Sequence, residues 1–76
     1  MMTKGEQTRE RIFRAAVEEF AEHGYEGARV ARIAEVAGVN KERIYANFGN
    51  KEQLFEEVWR RTYNRLLEFF GAIVGS

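Results

Sequence analysis

Residues 30–48 read VARIAEVAGVNKERIYANF, and the fold turns on this stretch. Val30, Ile33, Ala34 and Ala37 recur at i, i+3, i+4 and i+7, one face of a short helix over about 30–37. Gly38 ends that helix, Val39 is apolar and Asn40 is a good N-cap for a next helix. That next helix, the third after those over about 8–23 and 30–37 and itself over about 41–47, turns Ile44 and Phe48, four residues apart, toward a core. Lys41, Glu42, Arg43, Ala46 and Asn47 are left facing outward. Ala34 is small where the two helices would cross, and a larger side chain there would push them apart. A Cβ at position 38 would oppose a left-handed turn. Helix, three-residue turn, helix is the helix-turn-helix pattern, whose second helix enters the major groove of DNA. Helical hairpins with Ala and Gly near the bend also occur in ordinary bundles, so the pattern alone leaves a purely structural bundle open.

The flanking segments extend the helical reading. Ile12, Phe13, Ala16, Val17, Phe20 and Ala21 share one face of a helix over about 8–23, with room for a further turn at its start. Gly24 is expected to take the left-handed conformation beyond the helix end, with His23 in the last turn and Tyr25 folding back. Asn50-Lys51-Glu52-Gln53 resembles a capping box, Asn as cap and Gln at the third position. It opens a fourth helix over about 51–70, roughly 30 Å long. Its apolar residues are Leu54, Phe55, Val58, Trp59, Tyr63, Leu66, Leu67, Phe69, Phe70, Ile73 and Val74, more than one stripe. The first half can close the core of the other helices. The stretch from Leu66 to Val74 has no evident cover in this chain, and large exposed apolar patches usually mark contacts. The expected fold is all-α, a small helical bundle with a helix-turn-helix.

Composition bounds the function. A chain of 76 residues is one domain at most. Such a domain buries only about 60% of the surface its unfolded chain exposes and is marginal without help. There is no cysteine and a single histidine, His23, so disulfides, thiolate metal sites and histidine-rich metal sites are excluded within this chain. Help must then come from a partner subunit or from further chain, and no cofactor is expected. No signal peptide follows Met1, and no run approaches the ~20 apolar residues of a membrane span, so a soluble protein is expected. Formal net charge is zero, from 12 basic and 12 acidic residues. The distribution is uneven. Residues 18–28 carry Glu18, Glu19, Glu22 and Glu26 and no lysine or arginine, whereas residues 29–51 carry Arg29, Arg32, Lys41, Arg43 and Lys51 against Glu35 and Glu42. Such a dipole suits a polyanion docking on one side, though mixed charge is also ordinary for a soluble surface.

A broader pattern joins these segments: Thr8, Arg9, Ile12, Ala15-Ala16, Phe20, Gly24-Tyr25, Val30, Ile33-Ala34, Ala37-Gly38-Val39, Ile44-Tyr45, Phe48, Lys51-Glu52 and Leu54. In residues and spacing it resembles the N-terminal domain of the TetR family, the tetracycline-repressor-like transcriptional regulators. The resemblance implies a homodimeric regulator, usually a repressor, acting on a double-stranded DNA operator in the cytoplasm of a bacterium or archaeon, at the nucleoid. It implies residues 1–50 as a three-helix DNA-binding domain and 51–76 as a connecting helix. That helix would lead toward a ligand-binding and dimerisation domain absent from this chain. A small-molecule effector is expected only in that missing domain, and no membrane is involved.

The resemblance also assigns the DNA-contacting positions. Lys41 stands where the family often has lysine, reaching phosphate or a base edge. Asn40 replaces the usual serine or threonine and can still donate to phosphate. Tyr45 matches a phosphate-contacting tyrosine, with core packing as the alternative. Lys51 matches the lysine that clamps backbone phosphate beside the helix 4 N-terminus, with a solvated lysine as the alternative. Arg29 stands where many members carry a threonine that caps helix 2; it cannot cap that way but can reach phosphate. Arg32, nearby on helix 2, either assists or is a solvated surface residue. Glu42 and Arg43 replace small residues. Near DNA, Glu42 is tolerable only where it accepts from a cytosine amino group, and Arg43 is the leading base reader, since arginine pairs two-pronged with guanine. Ala46 can meet a thymine methyl, and Asn47 can read adenine or touch phosphate.

The other clusters carry less. Glu18, Glu19 and Glu22 are expected to form a solvated helix face, and His23 to belong to the helix end. With no catalytic pairing in the sequence, an enzyme is not expected. The competing reading is a protein-interaction or dimerisation module built on helix 4, without DNA binding.

Overall fold

A computed structural model describes the backbone of residues 1–74 and the side chains of residues 1–71. Among the described residues four helices succeed one another: α1 (Lys4–Gly27), α2 (Val30–Ala37), α3 (Lys41–Phe48) and α4 (Lys51–Val74). The bundle is all-α, as expected, and the helix-turn-helix is α2 and α3.

α1 begins a turn before Thr8 because Thr3 caps it. The Thr3 hydroxyl accepts from the Glu6 N–H at 3.1 Å, satisfying a donor that the first turn leaves without a partner. Its other end departs from expectation. Gly24 has positive φ, 70°, but its ψ of 177° is extended rather than left-handed helical. This backbone region is nearly reserved for glycine. The chain kinks there and takes one more helical turn to Gly27, closed by the Ala28 N–H donating to the Gly24 carbonyl at 3.0 Å. That turn delivers Ala28 and Val30 into the core.

The four largest fully buried side chains are Ile12, Ile33, Ile44 and Leu54, one from each helix. Burying each contributes about 1.5–3 kcal/mol. Ala15, Ala16 and Ala34 are buried in the same cluster. Phe13, Val17, Val39 and Phe55 are half-buried around this cluster. Ala21, expected on the packed face of α1, is exposed. α1 touches all three other helices and is the scaffold on which the helix-turn-helix sits.

α4 divides into two halves. Asn50 caps it by accepting from the Gln53 N–H at 2.8 Å. Only this half of the expected capping box forms, because the Gln53 carboxamide lies over Gly49 instead of reaching back to Asn50. Leu54 and Val58 are buried, and Arg61 ties the helix to α1 by pairing with Glu10 at 2.8 Å while lying 3.7 Å over the Phe13 ring. The remaining large apolar residues of the helix face outward: Trp59, Tyr63, Leu66, Leu67, Phe69 and Phe70 are each at least half exposed. The side chains of Ile73 and Val74 lie outside the described residues. Among the described residues, no helix is long and apolar enough to cross a membrane.

Candidate nucleic-acid interface

α3 is held at both ends. The turn before it is a left-handed glycine cap: Gly38, at φ 72° and ψ 33°, donates its N–H toward the Ala34 and Glu35 carbonyls, and the Val39 N–H reaches the Ala34 carbonyl at 3.0 Å. This satisfies carbonyls that the end of α2 would leave bare. Asn40 then accepts from the Arg43 N–H at 2.8 Å, as a capping side chain should. At the far end, the Gly49 N–H donates to the Tyr45 carbonyl at 2.8 Å. The Arg9 guanidinium from α1 donates to the Asn47 carbonyl and lies 4.2 Å from the centroid of the Phe48 ring.

Held in this way, α3 buries Ile44 and Phe48 and exposes the rest, apart from the half-buried Asn47. At 3.6 residues per turn, Ala46 falls opposite the buried stripe, with Glu42 and Arg43 on either side of it. The small Ala46 side chain leaves a shallow open depression, lined by Val39, Asn40, Glu42, Arg43 and Ala46. Lys41 and Tyr45 flank the face on one side, and Tyr45 is 42% exposed, which rules out core packing as its role. Asn47, on the other flank, donates through Nδ2 to the Arg43 carbonyl at 2.9 Å. No ion pair ties Lys41, Glu42 or Arg43 among the described residues.

The remaining sequence-predicted positions separate into different environments. Lys51, at the first position of α4, directs its ammonium at the face of Tyr25, 4.7 Å from the ring centroid. Arg29 adopts an extended conformation before α2 and makes no side-chain cap. Its backbone N–H donates instead to Glu19 Oε2 at 3.0 Å. Arg32 turns inward as well: its Nε donates to the same Glu19 oxygen at 2.7 Å and its Nη2 to the Gly27 carbonyl at 3.3 Å.

Glu19, expected on a solvated face, is instead 7% exposed. Burial pushes its carboxyl toward the neutral form, but the Arg29 N–H, the Arg32 guanidinium and the nearby His23 outweigh that, holding it below its ordinary range. Arg9, Glu19 and Tyr25 therefore shape the interface, although sequence reasoning does not place them among its residues. A signal exists for Glu19. It lies seven residues after Ile12 and four after Ala15, on the buried stripe of α1. A charged residue there calls for a partner.

Residues 12–58 match the family model described as bacterial regulatory proteins, tetR family. The chain belongs to the TetR family. It is 58% identical over 53 residues to the HTH-type transcriptional repressor SCO4008 of Streptomyces coelicolor, covering 70% of this chain and 28% of that protein. It is 42% identical over 65 residues to the HTH-type transcriptional repressor AcnR of Corynebacterium glutamicum, covering 86% of this chain and 35% of that protein. A crystal structure of a HlyIIR mutant protein, in which a segment is substituted by a linker containing two thrombin sites, superposes with a TM-score of 0.72 at 43% identity, over 74% of this chain and 31% of that one. The chain therefore spans about a third of the length of these TetR-family relatives.

Proposed function

We propose that this chain is the DNA-reading head of a ligand-responsive transcriptional regulator, acting as a repressor through sequence-specific binding of double-stranded DNA. The observation that carries the reading is the outward face of α3. It presents Lys41, Glu42 and Arg43 without internal ion-pair partners among the described residues, around the Ala46 depression, on a helix capped at both ends. The names of the relatives, HTH-type transcriptional repressors, support it.

In this reading α3 enters the major groove. Phosphate contacts position the domain and base contacts select the site. Arg43 reads guanine through its two-pronged guanidinium, and the Ala46 methyl and the Glu42 carboxylate meet thymine methyl and cytosine amino groups. Asn47, with one amide hydrogen held by the Arg43 carbonyl, offers its oxygen and second hydrogen to a base or phosphate. Lys41, Tyr45, Asn40, Arg29 and Lys51 address the phosphates, Lys51 beside the positive end of α4. The whole regulator is a cytoplasmic homodimer. Its two heads read half-sites about 34 Å apart or a multiple of that, and its effector binds in a second domain reached through α4. The exposed apolar half of α4 supports a contact with such a domain.

Titration of the isotope-labelled chain with a mixed-sequence duplex, monitored amide by amide by NMR at two salt concentrations, tests the reading. Shifts at residues 29–32 and 40–51 that fade with salt are expected. Silence there, with concentration-dependent broadening confined to residues 59–70, would instead make the chain a helical interaction module.

A further inference from the structure

α2 starts without a cap of its own. Arg29 occupies the N-cap position with no acceptor in its side chain. Arg32 stands three residues on, where the carboxylate of a capping box would reach back to the N-cap N–H. Glu19 supplies that carboxylate from another helix. Its Oε2 accepts from both the Arg29 N–H, at 3.0 Å, and Arg32 Nε, at 2.7 Å. Its Oε1 lies 4.0 Å from His23 Nε2. The Arg32 fork is closed by the Gly27 carbonyl. One buried carboxylate thereby joins α1, the link after it and the first turn of α2.

We propose that Glu19 is a positioning residue for DNA binding: by supplying from α1 the carboxylate half of a capping box for α2, it sets the direction in which Arg29 and, through α2, α3 are presented. The proposal rests on the DNA-binding reading above. α2 has only eight residues, so a frayed first turn removes a large part of it, and short helices depend on such end contacts. Val30 and Ile33 of that turn are core residues, and α3 is joined to α2 by the short turn at Gly38 to Asn40. A shift at the start of α2 is therefore carried to α3. Arg32 is on this account the internal counter-ion of Glu19. Its side chain is 42% exposed, so it can turn to water when that partner is removed.

Two variants separate positioning from bulk stability. Glu19→Leu fills the same buried space without an acceptor; removing one partner of a buried pair is costly, and the added apolar burial and the 42% exposed Arg32 side chain offset part of that cost. Glu19→Gln keeps an oxygen for the Arg29 N–H. Each is compared with the parent chain for thermal stability, for hydrogen exchange of the Arg29 amide without DNA, and for affinity toward a selected duplex. In Glu19→Leu the melting temperature falls no further than in Glu19→Gln, which also lacks the charge. The Arg29 amide exchanges about ten-fold faster, and duplex affinity falls by up to about ten-fold, as the loss of one hydrogen bond to a charged group allows. The salt dependence of binding is unchanged, because no phosphate contact is removed. Glu19→Gln recovers toward the parent in exchange and affinity. Normal affinity in Glu19→Leu, or affinity that tracks the melting temperature instead of Arg29 exchange, overturns the positioning role. A parent chain that binds no duplex at any salt removes the DNA reading and this role with it, while Arg29 exchange still reports whether Glu19 caps α2.

Discussion

The Lys51 ammonium stands 4.7 Å from the centroid of the Tyr25 ring, and that ring is itself packed against two others. It stacks on Phe20 at 6.2 Å and meets Phe55 edge-on at 5.0 Å. An aromatic shelf built from α1 and α4 thus supports a cation at the N-terminus of α4. The arrangement gives the residue after Gly24 a definite task, which the kink at that glycine makes geometrically possible.

The shelf predicts a coupling between Tyr25 and Lys51. Tyr25→Leu retains apolar contact with Phe20 and Phe55 but removes the ring face, and Lys51→Met removes the charge while keeping the stem. In a double-mutant cycle measured by urea denaturation, the two should show an interaction of about 0.5–1 kcal/mol, the range for an exposed cation and ring. Additive effects would mean that Lys51 merely passes over the ring.

Arg43 and Lys41 should behave differently toward DNA. Arg43→Ala should cost about 1–3 kcal/mol on the selected duplex and relax preference at one base pair. Lys41→Ala should weaken all duplexes alike and reduce the slope of log affinity against log salt by about 0.9, one phosphate contact. Competition binding against single-base variants of the duplex distinguishes the two. Uniform weakening from Arg43→Ala would assign it to phosphate instead of a base.

Physical range decides how far these residues are legible from the sequence. Apolar periodicity locates all four helices and the inward positions Ile12, Ile33, Ile44 and Leu54, because side-chain direction repeats locally along a helix. The Asn40 and Asn50 caps are legible for the same reason, since donor and acceptor lie within three residues. Contacts between distant parts of the chain are not. Arg9 reaches Asn47 and Glu19 reaches Arg29 and Arg32 across helix interfaces that no local spacing encodes. Gly24 shows a further limit. Its position marks a break in α1, but whether ψ is left-handed or extended depends on where Ala28 and Val30 must be buried. At the interface, residue types suggest which side chains suit DNA. Only the fold reveals that Arg32 is engaged internally while Arg43 is not.

The Asn40 cap should have a measurable share in stability. Its carboxamide accepts from the Arg43 N–H at 2.8 Å on an exposed helix end. Asn40→Ala should cost about 1 kcal/mol and Asn40→Asp little, since both Asn and Asp cap well. For a domain of this size the Ala variant should lower the melting temperature by roughly 4–8 °C. Calorimetry on the three chains checks the order. Equal loss in Ala and Asp variants would point to the side chain's donor, and not its acceptor, as the group that matters.

Glu19 should make stability depend on pH in a definite direction. The groups facing its carboxylate are the Arg29 N–H, the Arg32 guanidinium and His23, and together they outweigh the effect of burial and lower its pKa from the ordinary 4.5. A group with a depressed folded-state pKa binds its proton more readily when the chain is unfolded. Its contribution is therefore complete above 4.5 and fades as the pH falls below that value toward the folded-state pKa. The parent should accordingly be more stable than Glu19→Gln near neutrality, and the two should converge in acid. Arg32→Gln removes one of the favourable partners, so it should move the convergence to higher pH and reduce the neutral-pH advantage. Urea denaturation of all three chains across the acid range measures these curves. Parallel curves for parent and Glu19→Gln would show that the Glu19 charge is not what Arg29 and Arg32 hold, and a neutral hydrogen bond would then account for the link between α1 and α2.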